Sequence, residues 1–405
     1  MAPTGAPSTT PAAILVLAGA ALLLAACQPV PSPSAPSSGA SAPTTAGTSA
    51  DPTLDPSLSA PADPSAPAPG AVTGVPGEVD TVLTDLDVPW GLALLPDGAA
   101  LVTERETGRV LRVAQDAAEP LTFPGGGDAV PDLRAAGEGG LLGIATAPDG
   151  DVLLYHSTDS DNRIVRYEYD PAAGTLADPR VLLSGIPTAD THNGGRIAVG
   201  PDGYLYAGTG DAQDTGASQD PDSLAGKILR ITLDGEPAPG NPFPGSPVWS
   251  LGHRNVQGLG WTADGTMVAS EFGQDTWDEL NVIEPGANYG WPEVEGPGDG
   301  GGEFAAPAAV WAPEEASPSG LAVAGDAVYV AALRGQRLWR VPLTGDAAGP
   351  LGTPEAYLVD ELGRLRDVAV TAEGTLWVLT NNTSRGTPRA GDDRVAEVTL
   401  VESAQ

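Results

Sequence analysis

Six times along this chain an apolar stretch enters a tight turn, in most cases acidic-Gly, and emerges as a second apolar stretch. That recurrence constrains the fold more than any other feature. The units begin at Trp90-Gly91-Leu92, Leu142-Gly143-Ile144, Gly195-Arg196-Ile197, Gln257-Gly258-Leu259, Ser319-Gly320-Leu321 and Arg366-Asp367-Val368. They turn at Pro96-Asp97-Gly98, Pro148-Asp149-Gly150, Pro201-Asp202-Gly203, Ala263-Asp264-Gly265, near Gly325-Asp326, and at Ala372-Glu373-Gly374. Asp-Gly between apolar runs is a strong hairpin signal, because glycine takes positive φ without steric cost. Units of a few short strands, recurring every ~40–60 residues, make propeller blades rather than a helical solenoid. No stretch carries a long apolar stripe of helical period, which removes α/β alternatives. The expected fold is all-β, a six-bladed β-propeller. Residues 79–86 are expected to supply an outer strand closing the ring against residues 394–400. Spacing is widest between the third and fifth units, so insertions are expected there, on the face that carries function.

Ahead of the repeats, residues 12–26 form an apolar run the length of a signal h-region, too short to span a bilayer comfortably. It ends in Leu24-Ala25-Ala26-Cys27, which resembles a bacterial lipobox. That resemblance implies a cysteine that is diacylated and becomes the mature N-terminus. Cys27 is the only cysteine, so an internal disulfide is impossible. One departure is that no Lys or Arg precedes Arg105, although signal n-regions are normally basic. Residues 28–76 are almost wholly Pro, Ser, Ala, Thr, Gly and Asp, a composition that cannot bury enough apolar surface to offset its ordering entropy. The expected partition is a signal at 1–27, an extended tether at 28–76 and the propeller at 77–402. The expected location is outside the cytoplasm, at the cell surface or periplasmic face, with membrane contact only through the lipid on Cys27.

With 53 acidic against 19 basic residues, the formal charge is −34. A phosphate backbone would be repelled, so nucleic acid is excluded as a partner. Against that background the arginines in apolar or Gly-rich settings stand out, and Lys227 is the only lysine. Of the three histidines, two lie in Gly-flanked polar clusters, Thr191-His192-Asn193-Gly194-Gly195-Arg196 and Gly252-His253-Arg254-Asn255. Histidine is the natural proton acceptor near neutral pH. Small neighbours let a bulky ligand approach the backbone. A lone histidine more often caps a turn; two such clusters within a repeated β framework favour a site.

Four segments in order carry a family resemblance: Gly137-Glu138-Gly139-Gly140-Leu141-Leu142-Gly143, His192-Asn193-Gly194-Gly195-Arg196, Leu251-Gly252-His253-Arg254-Asn255-Val256-Gln257-Gly258-Leu259, and Asn288-Tyr289-Gly290-Trp291-Pro292. The chain resembles the soluble quinoprotein sugar dehydrogenases, the glucose/sorbosone or aldose sugar dehydrogenase family, from about Val88 to the sixth repeat. The resemblance implies a six-bladed propeller that binds pyrroloquinoline quinone and Ca²⁺ and oxidises aldoses. By it, His192 is the general base, taking the proton of the anomeric hydroxyl while hydride passes to the quinone, and Asp211 orients it. Arg254 contacts the quinone carbonyls and Asn255 the cofactor. Arg334, Arg364 and Arg366 meet the cofactor's three carboxylates, Arg334 standing where the best-known branch has lysine. Glu138 touches cofactor or substrate where some members have glutamine. The carbonyls of Gly273 and Gln274 hold the Ca²⁺ that bridges to the quinone. Asp278, Glu279 and the carbonyl of Tyr289 bind a second, structural Ca²⁺.

Two other readings share the fold. A calcium-dependent lactonase would bind metal through carboxylates converging on the central channel, and the arginine set is better explained by a polycarboxylate cofactor. A non-catalytic surface propeller would have no need of His192, Asp211 and the arginines together. The sugar and the electron acceptor are not encoded in these motifs.

Overall fold

The computed structural model describes residues 73–402, apart from 115–116 and 347–348. The apolar run at 12–26, Cys27 and the tract up to residue 72 lie outside the described residues. Among the described residues the strands form six antiparallel sheets in chain order, and the one short helix is the 3-10 turn Thr215–Gln219. The first strand of each blade is innermost: Pro89–Leu94, Leu141–Thr146, Ile197–Val199, Val256–Trp261, Pro318–Ala324 and Leu365–Val370. Each of these packs against the next and the last against the first, which closes the six-bladed propeller.

The repeated Gly near each blade entry has a steric origin. A Cβ on Gly143 would stand 2.1 Å from the Gly195 carbonyl oxygen of the neighbouring blade, and one on Gly320 would stand 1.7 Å from the Asp367 carboxylate. Inner strands therefore approach closely only where the side chain is a hydrogen. In five blades the pairing register also shifts at this point, between Pro89 and Leu92, Leu141 and Ile144, Val256 and Gly258, Pro318 and Leu321, and Leu365 and Asp367. Such bulges re-aim side chains and are frequent beside active sites. Apolar faces of adjacent blades supply the core, as where Leu142, Leu153 and Tyr155 of the second blade meet Ile197, Leu205 and Leu229 of the third.

Ring closure follows the expected principle with different limits. The strand that pairs with Val395–Val401 is Val75–Leu83, so it begins within the tract assigned to the tether. Its start is held by the fifth blade, where the Tyr329 hydroxyl and Arg340 Nε donate to the Gly74 carbonyl at 2.7 and 2.9 Å. Leu86, expected inside the strand, lies beyond it, is 4% exposed and packs into the junction of the first and sixth blades. A chain beginning at residue 84 should lose about 3 kcal/mol from Val79, Val82 and Leu83 and their ladder, and thermal unfolding should fall by roughly 5 °C. An unchanged midpoint would show that this strand does not close the ring.

Candidate active site

The entries to the inner strands and the loops after the second strands meet at one end of the ring. The entries contribute Trp90, Glu138, Asn193, Gly194, Gln257, Ser317, Arg364 and Arg366, and the loops contribute Arg105, Phe272, Leu333, Arg334 and Asn381. With Ser384 and Arg385 they line a cavity of about 280 Å³. Five of its lining residues are arginines and one is a carboxylate, Glu138. Glu138 is already engaged: Oε1 accepts from Arg385 at 2.7 Å and Oε2 from the His192 backbone N–H at 3.1 Å.

The guanidinium groups are under-neutralised. Buried Nε atoms of Arg105, Arg254, Arg364 and Arg366 have no hydrogen-bond partner. Burial, followed by the like charges of Arg105, Arg364 and Arg196, pushes Arg366 well below its ordinary pKa. Burial and then the like charge of Arg385 also lower the pKa of Arg364. Orphaned donors and crowded cations each cost stability, so their concentration in an acidic chain marks a site built for an anion. Trp90 and Phe272 add aromatic surface to the lining.

His192 is not itself in the lining, but it adjoins Asn193 in the chain and is bonded through its backbone to Glu138, both of which are, and its φ is +59°. Such a backbone conformation is unfavourable for a non-glycine residue and persists where the surroundings impose it. Gly210 is part of that imposition, because a Cβ there would lie 1.9 Å from the His192 carbonyl oxygen. The His192 ring meets Asp211 through Nδ1···Oδ1 at 2.7 Å. Asp211 is fully buried, and its Oδ1 also accepts from the Gln213 N–H at 2.9 Å. Its Oδ2 accepts from Trp291 Nε1 at 2.9 Å. Burial alone would raise the Asp211 carboxyl, and hydrogen bonds from His192, Gln213 and Trp291 outweigh it, holding the group below its usual range. An ionised Asp211 accepts Nδ1–H and leaves the lone pair on Nε2, the tautomer a base requires.

The other expected residues divide. Arg334, Arg364 and Arg366 line the cavity together. Arg254 reaches its wall by donating to the Phe272 carbonyl at 3.2 Å. Asn255 sits behind the wall at 1% exposure, its Oδ1 accepting from the Gly194 N–H at 3.0 Å. His253 is fully buried, bonded to Glu271 and Ser250 at 2.6 and 2.8 Å and stacked on Tyr289, so this histidine is structural. Arg105, Arg385 and Glu295 were not among the expected site residues.

For calcium the structure gives a mixed result. Glu295 Oε1 accepts backbone N–H bonds from Gln274, Asp275, Thr276 and Trp277 at 2.7–3.2 Å. In a trans peptide the carbonyl opposes the N–H, so the Gly273 and Gln274 carbonyls turn away from Glu295, free to act as oxygen ligands. Asp278 and Glu279 are consecutive in the strand Asp278–Ile283 and project to opposite faces. Asp278 accepts from the N–H groups of Gly273 and Ser317 at 2.9 and 2.6 Å. Glu279 accepts from the Gly296 N–H and Asn281 Nδ2 at 2.7 and 3.1 Å. The structure does not bring the two carboxylates of the expected second ion together. Among the described residues no group of three or more His, Cys, Asp or Glu forms a metal cage.

Residues 86–387 match the family model described as glucose/sorbosone dehydrogenase. The chain is 36% identical over 259 residues to quinoprotein glucose dehydrogenase B of Acinetobacter calcoaceticus, a match covering 55% of this chain and 53% of that protein, about half its length. It is 32% identical over 346 residues to aldose sugar dehydrogenase YliI of Escherichia coli K12, covering 76% and 90% respectively. Among solved structures it is similar to the PQQ-bound form of an aldose sugar dehydrogenase from Streptomyces coelicolor, at 52% identity and a TM-score of 0.76, covering 83% of this chain and all of that one.

If the arginines are held against repulsion for a ligand, Arg366→Met should stabilise the ligand-free protein by roughly 1–3 kcal/mol, the cost of an unsatisfied buried donor. Calorimetry of ligand-free protein checks this, and a lower unfolding temperature for the variant would contradict it.

Proposed function

The chain belongs to the glucose/sorbosone dehydrogenase family, and from that premise we propose that it oxidises aldose sugars at the anomeric carbon to lactones, with pyrroloquinoline quinone as bound acceptor. The observation that carries the reading is the five-arginine cavity beside a histidine fixed by a buried carboxylate. The quinone, when bound, supplies a two-electron acceptor for hydride from the sugar carbon. Its three carboxylates match Arg334 together with Arg364 and Arg366, whose buried Nε atoms have no partner and which meet no carboxylate among the described residues, since arginine pairs with carboxylates in planar, bidentate fashion. Arg254 would place positive charge against the acceptor's carbonyls, where negative charge develops.

His192 Nε2 takes the proton of the anomeric hydroxyl, and Asp211 stabilises the imidazolium that results. A Ca²⁺ on the Gly273 and Gln274 carbonyls would offset part of the cofactor's negative charge. Acceptance of the electrons by an external carrier completes turnover. A lactonase needs converging carboxylates, and the one in the cavity lining, Glu138, is committed to Arg385 and the His192 backbone. We further propose that the protein acts outside the cytoplasm, anchored through lipid on Cys27, because a lone cysteine closes the apolar run at 12–26.

Two measurements test the assignment. His192→Ala should keep the quinone, read by absorbance, while turnover with aldoses falls by roughly 10²–10⁴-fold. Arg366→Ala should instead lose cofactor retention, since one charge-assisted partner is removed. Full activity in a quinone-loaded His192→Ala protein would end the proposed mechanism. Chelation should release quinone with calcium and lower the unfolding temperature; a protein indifferent in both respects has no such calcium site.

A further inference from the structure

The segment Asn288-Tyr289-Gly290-Trp291 leaves the fourth blade and reaches the two groups on which the chemistry converges. The Trp291 indole N–H donates to Asp211 Oδ2 at 2.9 Å, and the Arg254 guanidinium carbon lies 5.4 Å from the Trp291 ring centroid. We propose that Trp291 is a positioning residue for the sugar oxidation, fixing the carboxylate behind His192 and seating Arg254 on its ring face, so that base and cation keep one relative geometry. This deepens the reading in which His192 is the base and rests on it.

Asp211 is fully buried, so its second oxygen depends on that indole. Without the donor, a buried acceptor would be left unsatisfied, and the carboxylate would gain by rotating away from His192 Nδ1. Indole is suited to the task because it donates and holds no exchangeable charge. It fixes Asp211 without neutralising it, leaving the negative charge for the imidazolium. Attraction between the guanidinium and the ring face holds Arg254 by a contact that uses none of its N–H groups, so that Nη1 still reaches the Phe272 carbonyl and Nε stays without a partner.

Trp291 is itself held on both sides, at 7% exposure. Its backbone N–H donates to the Gly252 carbonyl at 2.9 Å, two residues before Arg254 in the chain. Its carbonyl accepts from Gln219 Nε2 at 2.7 Å, and Gln219 Oε1 accepts from Asn288 Nδ2 at 2.7 Å. The insertion after Asp211 and the insertion that carries Trp291 are thereby clamped to each other, across the junction of the third and fourth blades.

The test uses Trp291→Phe, which keeps an aromatic face and removes the donor. In full-length protein without quinone, nitrogen-15 NMR of the histidine rings reads the Nδ1–H of His192 among three histidines. The expected result is a displaced and broadened His192 Nδ1–H signal. In quinone-loaded protein, kcat should fall roughly tenfold with the KM for sugar nearly unchanged. Combined with Asp211→Asn the losses should be less than additive, because both act through one carboxylate. Gln219→Leu, which loosens the clamp without touching Asp211, should displace the same signal by less, and it decides the matter if Trp291→Phe does not fold. A His192 signal identical to the parent's overturns the proposal, as does a kcat loss that adds fully to that of Asp211→Asn. The NMR arm needs no cofactor, so failure to bind quinone would count against the family chemistry and leave this result readable.

Discussion

Beneath the cavity, one ion pair crosses the centre of the ring. Arg196 of the third blade meets Asp367 of the sixth at 2.5 Å, at 6% and 3% exposure. The same carboxylate accepts from the Leu92 N–H of the first blade at 3.0 Å, and Arg196 Nε donates to the Gln257 carbonyl of the fourth at 2.8 Å. Trp90 covers the guanidinium at 4.4 Å. Burial pushes the Asp367 carboxyl upward and Arg196 counters it. Taking both charges from water is costly, and removing either alone costs about 3–5 kcal/mol because it strands the other. Four blades are thus referred to one neutralised pair, which forms the floor on which the unneutralised arginines stand.

That arrangement separates two demands on one charge type. Away from the cavity, arginines are spent on carboxylates, as Arg230 on Asp202 and Arg166 on Asp151. Inside it Arg105 and Arg385 are paired with Glu106 and Glu138, while Arg334, Arg364 and Arg366 meet no carboxylate among the described residues. An outer surface of net negative charge keeps anions at a distance, whereas a concave cluster with low-dielectric walls focuses its own field inward. The strained backbone of His192 belongs to the same economy, since local rules are broken where function requires it and the rest of the fold supports the break.

The blades were legible because their signal is local: an apolar run, a turn, and a glycine where inner strands nearly touch. His192 was legible because it sits in a blade entry within a motif shared with a known family, and Arg364 and Arg366 because they flank the sixth entry; Asp211, after the second strand of the third blade, was read from the resemblance. Arg105 and Arg385 were not, since they reach the cavity from loops whose sequence is ordinary and whose convergence exists only after the ring closes. Glu295 was hidden for a related reason, its work being to collect backbone N–H groups that carry no side-chain signature. Asn255 was expected at the cofactor by the family resemblance, and His253 stood out only as one of two Gly-flanked histidines; both are buried behind the wall by contacts that the sequence does not display. Alternation along the strand separates Asp278 from Glu279. The onset of the closing strand was obscured by composition, because Val75 follows a tract rich in Pro and Ser, and tertiary pairing overrides that bias.

The pairing of Val75–Leu83 with Val395–Val401 joins the first described strand to the last. Every blade between them is synthesised before the partner strand exists. The ring therefore has no closed form until Val395–Val401 has been made, and the entropy of closing so long a loop falls on that step. A chain interrupted anywhere in between keeps two open strand edges, the feature that invites aggregation. Closure thus acts as a check on the fold, in which the first described strand holds its place for the last and the ring forms only when both are present.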